Sequence, residues 1–156
     1  MNRIRRIHKA PGTYLLLAQL SHEVTLRVGK LGTFDLAGGW YAYAGSALGP
    51  GGLRARLARH ARTDKRLHWH VDYLLQHAVL DTIWQAAYPA RLECAWAAAI
   101  LSLPGAQAPV PGFGASDCRC ATHLVFLPQR PTDRQIAAAL SARTPAPASV
   151  RRTPAQ

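Results

Sequence analysis

Residues 43–60 constrain this chain more than any other stretch. An apolar, alternating run ends at Tyr43 and Gly45, a glycine-rich turn passes through Gly49, Gly51 and Gly52, and a helix studded with arginine begins. The spacing predicts that helix from about Gly52 to Arg62. On a wheel of about 100° per residue, Leu53, Leu57, Arg56 and His60 share one side, while Arg54, Arg59 and Arg62 spread over the other. Arg56 and His60, one turn apart, therefore lean inward. A cation in that position has either a buried partner or a chemical task.

The rest of the composition narrows the partners. At 156 residues and 49% hydrophobic content, the chain is long enough for one domain with a substantial core. Nineteen basic residues against eight acidic ones give +11, and sixteen of the nineteen are arginine. The guanidinium fork matches phosphate bidentately, so a polyanion is the first partner to consider, nucleic acid ahead of a membrane surface. Coding bias toward arginine over lysine is the other source of such a count. No apolar run approaches the roughly 18–20 residues of a membrane span, and Met1–Lys9 is basic without a signal-type apolar segment behind it. The expected compartment is cytoplasmic, with no membrane partner. Three cysteines, two of them in Cys118-Arg119-Cys120, do not make a secreted disulfide framework.

In chain order, residues 1–10 read as a frayed basic arm, 11–142 as the folded domain, and 143–156, with three prolines and three arginines, as a disordered basic tail. Thr13–Leu20 and Val24–Val28 read as a β-hairpin about Ser21-His22-Glu23, and Trp40–Ala44 as a third strand. A second helix is expected from His68 to about His77, a strand from Val79 to Ala87, and an almost wholly apolar helix from Ala90 to about Leu103. Pro109–Cys120 is a Gly- and Pro-rich loop, His123–Leu127 a short strand, and Thr132–Ala142 a capped last helix. The class is α+β: a small antiparallel sheet flanked by helices.

Glu93 is the most informative residue of the second half. It is one of only two glutamates, set in a helix of alanine, leucine and tryptophan. An ionised carboxylate at the border of an apolar face is costly unless it meets a cation or a metal. A salt bridge to Arg56 or Arg91 and a metal-ligand role both satisfy that requirement.

Gly12-Thr13-Tyr14, then Tyr43-Ala44-Gly45, then Leu53 to His60, then a glutamate on a later helix, together resemble the GIY-YIG endonuclease superfamily. More narrowly, His68-Trp69-His70-Val71-Asp72-Tyr73-Leu74-Leu75 and Gly112-Phe113-Gly114-Ala115-Ser116-Asp117-Cys118-Arg119-Cys120 resemble an uncharacterised branch of it. The likeness covers roughly residues 11–128. Each motif is weak alone; five in order are fairly specific. It implies a nuclease that hydrolyses nucleic-acid phosphodiesters with one Mg²⁺ or Mn²⁺, DNA being favoured over RNA. Tyr14 and Tyr43 fall on the two motif tyrosines, Arg56 on the phosphate-bracing arginine, His60 on a variable active-site position and Glu93 on the metal ligand. Gly45, Ser46, Arg54, Arg59, His68 and His70 are expected to contact nucleic acid.

These residue types suit the chemistry. A hard divalent ion is commonly held by one or two carboxylates with waters completing its shell. A tyrosine serves as base only if its pKa, about 10 in peptides, is lowered, and Arg56 and His60 are the available perturbers. Two departures stand out. Tyr14 and Tyr43 are far enough apart to require an inserted hairpin, and the superfamily's late asparagine is absent, leaving Ser116 or Asp117 as replacements. A nucleic-acid-binding module on a catalytically decayed fold is the competing reading. The Cys118-x-Cys120-x-x-His123 spacing, with Cys94 as a possible fourth member, is tighter than the usual pairing of structural zinc ligands. It argues against zinc there and for a buried or redox-active thiol pair.

Overall fold

β1 (Gly12–Leu20) is buried at every position except Gln19, and that explains its sequence. A strand covered on both faces reads as an apolar run rather than an alternation. It is the middle of a five-stranded antiparallel sheet of order β6-β4-β1-β5-β7. The others are β4 (Gly39–Ala47), β5 (Val79–Ala87), β6 (Leu124–Leu127) and β7 (Arg151–Pro154). The computed structural model describes residues 3–155.

The two faces of the sheet carry separate cores. Tyr14, Leu16, Ala18 and Leu20 of β1 with Tyr41 and Tyr43 of β4 pack beneath α1 (Gly52–Ala61), α2 (His70–Leu75) and a two-stranded hairpin, β2 (Val24–Val28) with β3 (Gly32–Leu36). Leu15, Leu17, Ala42, Ala44 and Trp84 face the other way. They pack under Trp96 and Ile100 of α3 (Glu93–Leu101) and under Ile136 and Leu140 of α4 (Asp133–Ser141). The class is thus α+β, as the pattern predicts. No helix among the described residues is long and apolar enough to cross a membrane.

Three expectations are corrected. β2 does not pair with β1; it pairs with β3, and β1 pairs instead with β4 and β5. β2 alternates and buries only one face, so a partner in a separate small sheet suffices, whereas the apolar β1 needs neighbours on both sides. Residues 21–38 are therefore the inserted hairpin between the two tyrosine strands.

The described part of the basic arm is packed rather than frayed. Ile4 and Ile7 are buried, and the backbone of Leu53 and Arg54 donates to the Ala10 and His8 carbonyls. Gly52 permits this approach: its φ is +56°, and a Cβ there would run into the Lys9 and Ala10 carbonyls.

The expected disordered tail contains β7, which covers the edge of β5. Arg152 pairs with Asp133 at 2.8 Å, tying the strand to the start of α4. An open sheet edge is a row of unmet hydrogen-bonding groups, and this one outweighs the tail's composition. Residues 1, 2 and 156 lie outside the described part of the chain.

Candidate active site

Tyr14, Tyr43, Arg56 and Glu93 come from β1, β4, α1 and α3, and all four line one cleft of about 410 Å³. Gly45, Ser46, His68, Trp69, His70, Arg91, Gly114, Ser116, Asp117 and His123 complete much of its wall. The ladder does the first part of this assembly. Leu16 lies opposite Tyr43, Tyr14 lies opposite Gly45, and the two tyrosine rings sit 6.4 Å apart.

Behind Tyr14 lies a buried polar relay. Its hydroxyl is 2.7 Å from His60 Nε2, and His60 Nδ1 is 3.8 Å from Asp72 Oδ1. The second distance is too long for a hydrogen bond, and among the described residues Nδ1 has no other partner. With a carboxylate as the polar neighbour of Nδ1, the proton belongs on that nitrogen. Nε2 is then free to accept from Tyr14.

Asp72 is a hub. It receives two hydrogen bonds from Arg59 at 3.0 Å each and one from each backbone N–H of His68 and Trp69, at 2.8 and 2.9 Å. Lys65 approaches it at 3.6 Å while donating to the last carbonyls of α1. Burial alone would raise this carboxyl, but the surrounding donors outweigh it and hold it well below the usual carboxylate range. Burial lowers the pKa of His60, and Asp72 only partly opposes this, so the ring is biased toward its neutral form.

The tyrosines depart from what a lowered pKa would require. Burial pushes Tyr14 up to about 12 and Tyr43 well above 10, and the Arg56 guanidinium only partly offsets this. Both are protonated hydroxyls at neutral pH. Tyr43 also stacks edge-on against Phe113. Gly114, at φ +72°, passes so close that a Cβ would meet the Tyr43 ring at 2.7 Å.

Arg56 donates to the Ser46 carbonyl at 3.1 Å, and its guanidinium lies 4.2 Å from the centre of the Trp69 ring. A cation over an indole face is held without being neutralised, so its positive charge stays available to the cleft. Glu93, the first residue of α3, is buried; it accepts a hydrogen bond from the Ser46 hydroxyl and lies 3.9 Å from Arg91. Of Arg56 and Arg91, Arg91 is the nearer cation. Thr13 anchors this helix start by accepting from the Leu92 N–H at 3.1 Å. A carboxylate on the cleft wall is a hard oxygen donor of the kind that holds a divalent ion together with waters.

The expected nucleic-acid residues divide. Gly45, Ser46, His68 and His70 are on the cleft wall. Arg59 is committed to Asp72 and to the Trp69 ring. Arg54 points elsewhere, its Nε donating to the Ile7 carbonyl at 2.7 Å. His70 Nδ1 accepts from the Gly114 N–H at 2.7 Å, which leaves Nε2 as the proton-bearing nitrogen of the neutral ring. Ser116 and Asp117 both reach the cleft, with Asp117 bonded to Arg91 at 2.9 Å. Trp69 belongs to the His68–Leu75 motif but carries no assigned role in the sequence, and its place as the seat of Arg56 comes from the structure; its position between two candidate histidines is the only signal the sequence offers.

An antiparallel sheet whose central strands aim two tyrosines at a cationic, carboxylate-bearing cleft is the class of domain this geometry defines. The family model described as "Domain of unknown function DUF123" matches residues 13–144, and the chain belongs to that family. No curated protein and no solved structure matches the chain.

Proposed function

We propose that this protein is a divalent-metal-dependent endonuclease of GIY-YIG type, hydrolysing nucleic-acid phosphodiester bonds. The observation that carries the reading is convergence: two tyrosines, one arginine and one carboxylate from four different elements face a single cleft. A surface that only binds nucleic acid needs positive charge but not this assembly. DNA stands ahead of RNA on the family resemblance alone.

The roles follow from the surroundings of each group. Glu93 would hold Mg²⁺ or Mn²⁺, which when bound supplies charge neutralisation at the phosphoryl oxygens and a more acidic water. Arg56, fixed over Trp69, presents its guanidinium to the phosphate. Tyr14 is too weak an acid to stand as a free tyrosinate, with its pKa pushed up to about 12. It acts instead by hand-off: it passes its own proton to neutral His60 while accepting one from the attacking water, and Asp72 stabilises the imidazolium that forms. Tyr43 donates as a neutral hydroxyl.

The second reading is a nucleic-acid-binding module with a lapsed active site, and the buried, protonated tyrosines are the observation in its favour. Labelled single- and double-stranded DNA and RNA, incubated with the full chain and Mg²⁺ or Mn²⁺, separate the two. Cutting that disappears with chelator and in Glu93→Gln supports the nuclease; tight binding without cutting supports the module.

A further inference from the structure

The Gly112–His123 loop, which contributes Gly114, Ser116, Asp117 and His123 to the cleft wall, has no regular secondary structure, yet it is folded tightly. The Gly112 N–H donates to the Ala121 carbonyl at 2.7 Å, and the His123 N–H donates to the Phe113 carbonyl at 2.8 Å, bringing the two ends together. Ser116, Asp117 and Arg119 are exposed, so the far end of the loop has little apolar packing. Beyond the Gly114–His70 and Asp117–Arg91 hydrogen bonds, what ties that end to α3 is sulfur and imidazole. Cys94 of α3 meets Cys118, Cys120 and His123, and the four donor atoms lie within 4.8 Å of one another.

Their spacing is informative. With Zn–S near 2.3 Å and Zn–N near 2.0–2.1 Å, a tetrahedral site has sulfur–sulfur edges of about 3.8 Å and sulfur–nitrogen edges of about 3.6 Å. Cys94 and Cys118 are 3.7 Å apart, and His123 Nε2 is 3.4 Å from each of their sulfurs. Three of the four corners are thus already disposed around a common centre. The fourth, Cys120, is bonded to Cys94 as a disulfide. The sequence spacing within 118–123 is tight for a zinc site by itself; a ligand from 24 residues upstream changes the geometry from a clip to a cage.

We propose that, in the reduced chain, Cys94, Cys118, Cys120 and His123 form a structural zinc site that staples the Gly112–His123 loop to α3. Opening the disulfide takes two electrons and two protons, supplied by a dithiol that leaves as its own cyclic disulfide. Zinc then displaces the three thiol protons and takes the imidazole as its fourth ligand. All four positions are filled by protein, so the ion holds the loop and leaves no open place for substrate. The site uses none of the groups assigned to phosphodiester hydrolysis and stands independently of that reading.

The full chain, reduced with a phosphine under anaerobic conditions, is titrated with Co²⁺ and then competed with Zn²⁺. The expected result is one thiolate-bound ion per chain, read from the saturation of the charge-transfer and intense visible bands of tetrahedral cobalt–thiolate coordination. Cys118 takes no part in the disulfide and is half-buried, so Cys118→Ser leaves the oxidised fold intact, as circular dichroism would verify. It should weaken zinc at least about 100-fold, since loss of supporting groups alone costs 10–100-fold. His123→Gln should shift the cobalt spectrum, and Glu93→Gln should leave it unchanged. A reduced chain without cobalt bands, or equal zinc affinity in Cys118→Ser, would overturn the site and leave the sulfurs as a disulfide only. Loss of the bands in Glu93→Gln would overturn the ligand set.

Discussion

Gly45 lies directly across the β1–β4 ladder from Tyr14, and the space its missing side chain leaves is occupied by the Tyr14 ring. A Cβ at this position would overlap the Tyr14 hydroxyl and the ring carbon that bears it. The glycine in Tyr43-Ala44-Gly45 therefore serves the tyrosine of the other strand. Gly45→Ala should displace the Tyr14 hydroxyl from His60 and cost roughly 1–3 kcal/mol of overpacking strain. Urea denaturation would show a lower midpoint at unchanged slope, and a midpoint equal to the native chain would disprove the seating.

Glu93→Gln is expected to abolish metal-dependent cleavage and leave nucleic-acid binding within a few-fold. The amide keeps the volume and the Ser46 contact while removing the charge that a cation needs. Cleavage and filter binding, measured side by side, read the two effects separately.

Arg56→Ala should lower the cleavage rate by about 10²–10³-fold, the usual loss when a donor to a developing oxyanion is removed. Arg56→Lys should recover little, because a lysine does not reproduce a planar fork stacked on Trp69. Full recovery by lysine would mean that charge alone matters.

Acid should destabilise the fold in two windows. The buried His60 has a lowered pKa, so the unfolded chain binds the proton first, and stability falls as pH drops below about 6.5. His70 and His123 are lowered by burial too and add slope of the same sign. Asp72 is held well below its ordinary value; its contribution is complete above about pH 4 and is lost only on further acidification. Chemical denaturation from pH 4 to 8 should give a shallower dependence for His60→Gln than for the native chain. Asp72→Asn, which strands Arg59 and Lys65 without their counter-charge, should cost about 3–5 kcal/mol at neutral pH.

Much of this arrangement is legible in the chain because it is local. The Gly49–Gly52 turn, the inward side of α1 and the isolation of Glu93 are statements about neighbours within a turn or two, and β5 falls on the expected residues. What was not legible depends on distant partners. That β1 would choose β4 and β5 over the nearer β2 is a competition among sheet edges. The order of residues 151–154 comes from an uncovered strand edge and one ion pair to Asp133, and composition carries no sign of either. The depth of the tyrosines is similar: Arg56 was visible as a cation able to lower a phenol pKa, but the burial that outweighs it is a sum over both layers.

The hairpin inserted at 21–38 leaves β1 after Leu20 and rejoins β4 at Gly39, the end of the ladder away from Tyr14 and Gly45. The spacing of the two tyrosines is consequently a property of cross-strand hydrogen bonds and not of the chain between them. A homologous chain with a tight turn in place of the hairpin could keep the same pairing of Tyr14 with Gly45 and of Leu16 with Tyr43. The register of the tyrosines does not depend on the length of that connection, and motif searches that fix the interval between them would pass over proteins built to the same plan.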